Sequence, residues 1–172
     1  HVKYEIRPRR GPNAKNDNYH HLHDMPNSGS GSGSDNGCGS VYSAMIAKTT
    51  DGGNTFTTQV SDTTGFYFNE ISCSDAKHCV AVGTGESGAV FYTTSDGNRW
   101  VQSYQLQSSA TYAWEVIAVA FNKGKKGEVW VAGSLQTQSG NTEAVFWCSI
   151  DYGNTWKKGS QTLGNIAVIM DI

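Results

Sequence analysis

The chain has 172 residues, enough for one substantial core or a few stacked repeat units. Twenty glycines, three prolines and 11% aromatic residues suit an all-β protein rich in tight turns. The net charge of −2 argues against a global field for nucleic acid or anionic membrane, and no apolar run approaches the roughly 20 residues that span a bilayer.

Residues 1–40 stand apart from the rest of the chain. The chain opens on His1 without an initiator Met or a signal-peptide core, so His1 reads as a processed terminus or as the first residue observed. Residues 1–7 form a strand pattern with Val2, Tyr4 and Ile6 on one face. Arg7-Pro-Arg9-Arg10, extended by Lys3 and Lys15, fits a furin-type processing sequence; a solvated basic arm is the preferred reading, and binding of an acidic partner is a further alternative. His20-His21-Leu-His23-Asp24 is the densest set of metal-capable side chains. His21 and His23 fall on one side of an extended segment, with Asp24 as an oxygen ligand. The stretch lacks the full His-x-His-x-Asp-His pattern of metallohydrolases, so a solvated polar loop is the preferred reading and no cofactor is expected. Ser28-Gly-Ser-Gly-Ser-Gly-Ser34 is low-complexity sequence that buries no core, a loop or linker of natural or engineered origin.

From residue 41 onward the chain repeats. Strand patterns fall at 41–50 and 55–61, then at 66–74, 78–83, 89–95 and 100–105. The same order returns at 114–122, 128–133, 144–150 and 156–159, and 165–172 starts it once more. Val-Ala-Val-Gly83 answers Trp-Val-Ala-Gly133, and Ala-Val-Phe91 answers Ala-Val-Phe146. Between the third and fourth strands of each unit one motif recurs. It reads Thr49-Thr-Asp51-Gly-Gly53-Asn-Thr55-Phe56, then Thr94-Ser-Asp96-Gly97-Asn-Arg-Trp100, then Ser149-Ile-Asp151-Tyr-Gly153-Asn-Thr155-Trp156. The aspartates are 45 and 55 residues apart, a period that signals a repeat architecture. Four short strands in each unit of about 50 residues predict an all-β fold of four-stranded antiparallel β-propeller blades. The expected division is a partial blade at 41–62, blades at 66–105 and 114–161, and the start of another at 165–172.

Each motif residue has a structural use. Glycine at the turn tip takes positive φ without steric cost. Asp51, Asp96 and Asp151 accept hydrogen bonds from turn amides, and Phe56, Trp100 and Trp156 bury between neighbouring sheets. The middle copy is one residue shorter before its aromatic and predicts a tighter turn. About three blades do not close a ring, because propellers usually need at least four. The expectation is a fragment of a longer precursor, or a subunit whose ring is completed by other chains; a truncated chain or a small β-sandwich is the alternative.

Cys73 and Cys79 flank the turn-like Ser-Asp-Ala-Lys-His, at a spacing wider than zinc knuckles use. A disulfide clamping that hairpin is the preferred reading, and a pair of buried reduced thiols the other. A disulfide would place the chain in an oxidising compartment, secreted or lumenal. Cys38 and Cys148 pair with each other, bond another chain or stay free.

The repeated motif resembles the Asp box, or bacterial neuraminidase repeat, whose pattern is Ser/Thr-x-Asp-x-Gly-x-Thr-Trp/Phe. Sialidases, sortilin-type receptors, xyloglucanases and photosystem II assembly-factor-like propellers carry it. The segment from Cys73 through Val-Ala-Val-Gly83 and Ala-Val-Phe-Tyr-Thr-Thr-Ser-Asp96-Gly97 to Trp100 looks most like the last group and its secreted bacterial relatives. The resemblance covers 41–172. It implies a propeller in which Asp51, Gly53, Phe56, Asp96, Gly97, Trp100, Asp151, Gly153 and Trp156 are structural, since Asp boxes lie away from the active site.

The catalytic sets of those families do not assemble here. Sialidases clamp a carboxylate with three arginines from different blades, whereas this chain has Arg7, Arg9 and Arg10 side by side and Arg99 inside a motif. The xyloglucanase mechanism needs two opposed aspartates, and Asp62, Asp75 and Asp171 have no motif to recommend them. A ligand surface, if built from the loops on the other face, would draw on Tyr67, Glu86, Tyr112, Trp114 and Asn141. These suit a carbohydrate or peptide ligand, or simple packing between blades. The expected function is a non-catalytic binding or assembly scaffold. A glycoside hydrolase with its catalytic residues outside this chain and a structural extracellular repeat protein are the alternatives.

Overall fold

A computed structural model of the chain describes residues 2–9, 43–62, 65–85 and 88–159. All of their regular structure is β, in three antiparallel sheets. The first sheet has the order β1 (Lys3–Arg9), β2 (Ser43–Thr49), β3 (Thr57–Asp62). The second runs β4 (Phe66–Cys73), β5 (Cys79–Gly85), β6 (Gly88–Thr94), β7 (Val101–Gln107). The third runs β8 (Tyr112–Phe121), β9 (Val129–Thr137), β10 (Thr142–Ser149), β11 (Lys157–Lys158). Among the described residues these sheets do not close a ring. The segments 10–42 and 165–172, with His20, His21, His23, Asp24 and Cys38, lie outside the described residues, as does Glu86.

The first sheet departs from the sequence expectation of two strands. β1 pairs with β2 from Lys3↔Thr49 to Arg9↔Ser43 and supplies a third. Such pairing joins segments far apart in the chain, and local periodicity carries no signal for it.

The second sheet packs between the other two, and its inner strands record this in sequence. β5 is buried along Cys79–Thr84 on both faces, so it reads as a continuous apolar run instead of alternating. Val80, Val82 and Phe91 of the second sheet form one core with Val119, Val131 and Trp147 of the third. Full burial of such a side chain stabilises by about 1.5–3 kcal/mol each. Bulges fall at matching places, between Phe68 and Glu70 in β4 and between Val116 and Ala118 in β8.

Polar groups align the two sheets. β8 is an edge strand whose outward amides need partners, and the second sheet supplies them. Val119 N donates to Glu70 Oε2 at 2.6 Å and Phe121 N to Ser72 Oγ at 3.3 Å. Thr84 Oγ1 accepts from Val116 N at 3.0 Å and donates to Val116 O at 3.2 Å. β4 and β8 therefore run side by side in the same direction. All the motif turns lie at one end of the sheets, and the loops that enter β4 and β8 lie at the other.

Candidate functional site

The three motif turns share one hydrogen-bond design. In the first, Thr49 Oγ1 donates to Asp51 Oδ1 at 2.7 Å and accepts from Gly53 N at 2.9 Å. Asp51 then accepts from Thr55 N at 3.0 Å and from Thr55 Oγ1 at 2.6 Å. The third turn repeats every bond: Ser149 Oγ to Asp151 at 2.7 Å, Gly153 N to Ser149 Oγ at 2.8 Å, and Thr155 N and Oγ1 to Asp151 at 2.8 and 2.6 Å. In the shorter middle copy Gly97 N reaches back only to Thr94 Oγ1, at 3.1 Å, and Asn98 N and Arg99 N both donate to Asp96 Oδ1 at 2.8 Å. The turn is tighter by one residue.

These bonds hold all three carboxylates below the usual range. At Asp51 the side-chain and backbone bonds from Thr55 lead, and at Asp96 the amides of Arg99 and Asn98. At Asp151 partial burial pushes upward, but the bonds from Thr155 and Ser149 together outweigh it. Each aspartate is thus ionised at neutral pH and accepts hydrogen bonds from its own turn, through both carboxylate oxygens at Asp51 and Asp151 and through Oδ1 at Asp96, a poor state for proton donation to a substrate. The sign for stability follows from the lowered values. The contribution is present above the unfolded value of roughly 4 and is lost as pH falls through the lowered folded values. Thermal melting is expected to be level between neutral pH and about pH 5 and to drop below about pH 4. The triple variant Asp51→Asn, Asp96→Asn, Asp151→Asn should flatten that drop.

The same turns fasten neighbouring sheets. Lys48 Nζ donates to Gly97 O at 2.7 Å, and Thr93 Oγ1 donates to Tyr152 O at 2.7 Å. Each donor immediately precedes a motif in one sheet, and each carbonyl follows the motif aspartate in the next. Trp100 Nε1 donates to Gln59 Oε1 at 2.8 Å, and Trp156 Nε1 to Ser103 Oγ at 3.1 Å. Gln59 and Ser103 hold matching places, the third after Phe56 and after Trp100. Tyr4 Oη and Gln59 Nε2 add further donors to Gly97 O, both at 3.0 Å. Sequence reading missed Lys48, Thr93, Gln59 and Ser103, although their fixed offset from the motif was there to be found. Tyr152 holds φ +60° where the other copies have glycine, and its ring stacks on His78 at 4.1 Å.

One expectation for the motif aromatics is corrected. Trp100 and Trp156 are half-buried between sheets, but Phe56 is 38% exposed. Among the described residues no sheet stands in front of the first one to cover it.

Cys73 and Cys79 form a disulfide with an S–S distance of 2.12 Å, directly opposite one another in the β4–β5 hairpin. Inside that hairpin Asp75 Oδ1 caps the amides of Lys77 at 2.7 Å and His78 at 2.9 Å. Cys148 is free and half-buried, and burial raises its thiol above the usual value. That keeps it a protonated, weak nucleophile.

The proposed ligand residues lie at the end of the sheets away from the motifs. Tyr112 is 39% exposed and meets Trp114 edge-on at 6.2 Å. Trp114 is half-buried, packs on Trp147 at 5.7 Å and carries Lys158 Nζ 5.1 Å from its ring centre. Asn141 O closes the β9–β10 turn by accepting from Thr137 N at 2.9 Å, and Gln138 N ties that turn to Thr111 O at 2.8 Å. Tyr112, Trp114 and Asn141 therefore gather at one end of the third sheet, while Tyr67 is exposed on β4 of the second. An opening of about 430 Å³ lies elsewhere, between β1 and the β4–β5 hairpin, lined by Val2, Tyr4, Ile71 and Asp75 among others. Among the described residues no three His, Cys, Asp or Glu side chains converge on a metal position, and no helix is long and apolar enough to cross a membrane. Comparison with models of known protein families and with curated proteins finds no match.

Proposed function

We propose that the chain is a run of Asp-box β-propeller blades that acts as a non-catalytic binding or assembly scaffold in an oxidising compartment, secreted or lumenal. The observation that carries this reading is the use of the motif side chains. The aspartates accept hydrogen bonds from their own turns, and the two tryptophans donate to the preceding sheet. A motif spent in this way gives the stack its geometry and leaves recognition to the opposite end. The Cys73–Cys79 disulfide fits an oxidising environment. Another chain, or the rest of a processed precursor, completes the ring.

The ligand surface in this reading is the end of the third sheet around Tyr112, with Trp114 and Asn141 beside it. An exposed ring next to an amide offers a stacking face and hydrogen bonds, which suits a carbohydrate or an extended peptide. The test is an array of oligosaccharides and peptides probed with the intact chain and with Tyr112→Ala. Retention is expected to fall at least about tenfold in the variant, in line with the loss of a buried aromatic anchor, while the melting temperature stays within about 2 °C. Equal retention by both would remove this surface from the proposal. Turnover of sialosides or β-glucans would overturn the non-catalytic reading in favour of a glycoside hydrolase.

A further inference from the structure

The face by which the second sheet holds the third is written again on the far side of the third. Pairing registers align the two: Thr84 stands opposite Ala89 in β5–β6, and Ser134 stands opposite Ala144 in β9–β10. Two residues along, Phe91 matches Phe146. In the second sheet this trio does the holding. Thr84 binds both the N–H and the C=O of Val116, and Phe91 receives the edges of Trp147 and Trp156 at 5.6 and 5.0 Å. Strand alternation points Ser134, Ala144 and Phe146 away from the side that carries Val131, Val145 and Trp147, which pack on the second sheet. Ser134 is fully buried, and its hydroxyl has no hydrogen-bond partner. A buried hydroxyl left unpaired is costly. At the place of Thr84 it is aimed where the backbone of a following edge strand would run.

We infer that the far face of β8–β10 is the docking face for the first strand of a fourth sheet, that Ser134 takes the N–H and C=O of one residue of that strand, and that residues 165–172 of this chain are its occupant. The inference rests on the reading of the sheets as successive repeats. Residues 165–172 lie outside the described residues, and their sequence argues for the role. They follow β11 as β4 follows β3 and β8 follows β7. Ile166-Ala167-Val168 repeats Ile117-Ala118-Val119 of β8. The receiving face differs in its other holding groups. Glu70 and Ser72, which hold amides of β8, are replaced at the aligned positions by Ala118 and Ala120. Of the side chains that hold the backbone of β8, Thr84 is thus the one with a hydroxyl counterpart on this face, Ser134.

Hydrogen–deuterium exchange on the intact chain, resolved by peptide, tests the inference. Amides of 165–172 are expected to exchange more slowly than in a free peptide of the same sequence. Ser134→Ala should speed them about fivefold, the loss of one ordinary hydrogen bond, while β8–β10 keep their protection. Ser134→Thr, which restores the hydroxyl seen at Thr84, should keep the slow rates. Free-peptide rates in the unaltered chain would overturn the inference, as would a Ser134→Ala variant with unchanged rates at 165–172. Equal acceleration throughout β8–β10 would also overturn it, since Ser134 would then be a general stabiliser. Glycan turnover would overturn the scaffold reading and leave this result standing.

Discussion

Replacing Trp147 with alanine is expected to lower the stability of the fold by about 3–5 kcal/mol, and Trp147→Phe by far less. Trp147 lies on β10, is fully buried, and meets Phe91 at 5.6 Å and Trp114 at 5.7 Å, both edge-on. It fills the space between the second and third sheets, where alanine would leave a cavity that flanking strands cannot collapse to fill. Its indole N–H has no hydrogen-bond partner, so phenylalanine gives up a little volume and also removes an unpaired buried donor. Domains of this size are stable by only about 5–15 kcal/mol, so the alanine variant should lose a large share of the total. Urea unfolding followed by tryptophan fluorescence measures both. A loss under about 1 kcal/mol for alanine would mean that the two sheets do not share this core.

The second large effect is expected at Gly153, and its counterpart in the first motif serves as the control. Gly153 is buried with φ +85°, and a Cβ there would lie 2.6 Å from Val80 Cγ2 and 3.1 Å from Trp156 Cζ2. Gly153→Ala combines left-handed backbone strain of about 1–2 kcal/mol with overpacking of about 1–3 kcal/mol. A total of about 2–5 kcal/mol is expected, by addition of those two ranges. Gly53 holds the same place in its motif, with φ +104° and open space around a would-be Cβ. Gly53→Ala should therefore cost only the backbone part, about 1–2 kcal/mol. Equal losses in thermal or urea unfolding would show that contact between sheets at Gly153 is not what penalises the side chain.

Strands and motif turns were legible in the sequence because their causes are local. Short apolar runs such as Ala89–Phe91 lead into turns whose Asp, Gly and hydroxyl residues bond within a few positions of one another. The place of β1 was not legible, since its partner β2 lies far along the chain and strand pairing leaves no local mark. The sheet fasteners were hidden for a different reason. Lys48 and Thr93 do the same work with different chemistry, because a backbone carbonyl accepts from an ammonium or a hydroxyl alike. Gln59 and Ser103 likewise share a position and not a residue type. Only their shared offset from the motif marks them as equivalent. Phe56 followed the motif pattern but not its burial, since burial depends on a neighbouring sheet that the motif itself does not encode. At the other end, Trp114 was readable as an aromatic in a loop-facing strand, yet its packing on Trp147 depends on a pairing between β8, β9 and β10 that only the fold sets.

A double-mutant cycle joining Trp156→Phe to Ser103→Ala tests most directly whether the repeated motif fastens each sheet to the one before it. The pair lies 3.1 Å apart across the second and third sheets, and the equivalent cycle, Trp100→Phe with Gln59→Ala, spans the first and second at 2.8 Å. Coupling of about 0.5–1.5 kcal/mol is expected in each, the range of a single net hydrogen bond. Additive losses in both cycles would contradict the account and leave the motif as a turn element alone.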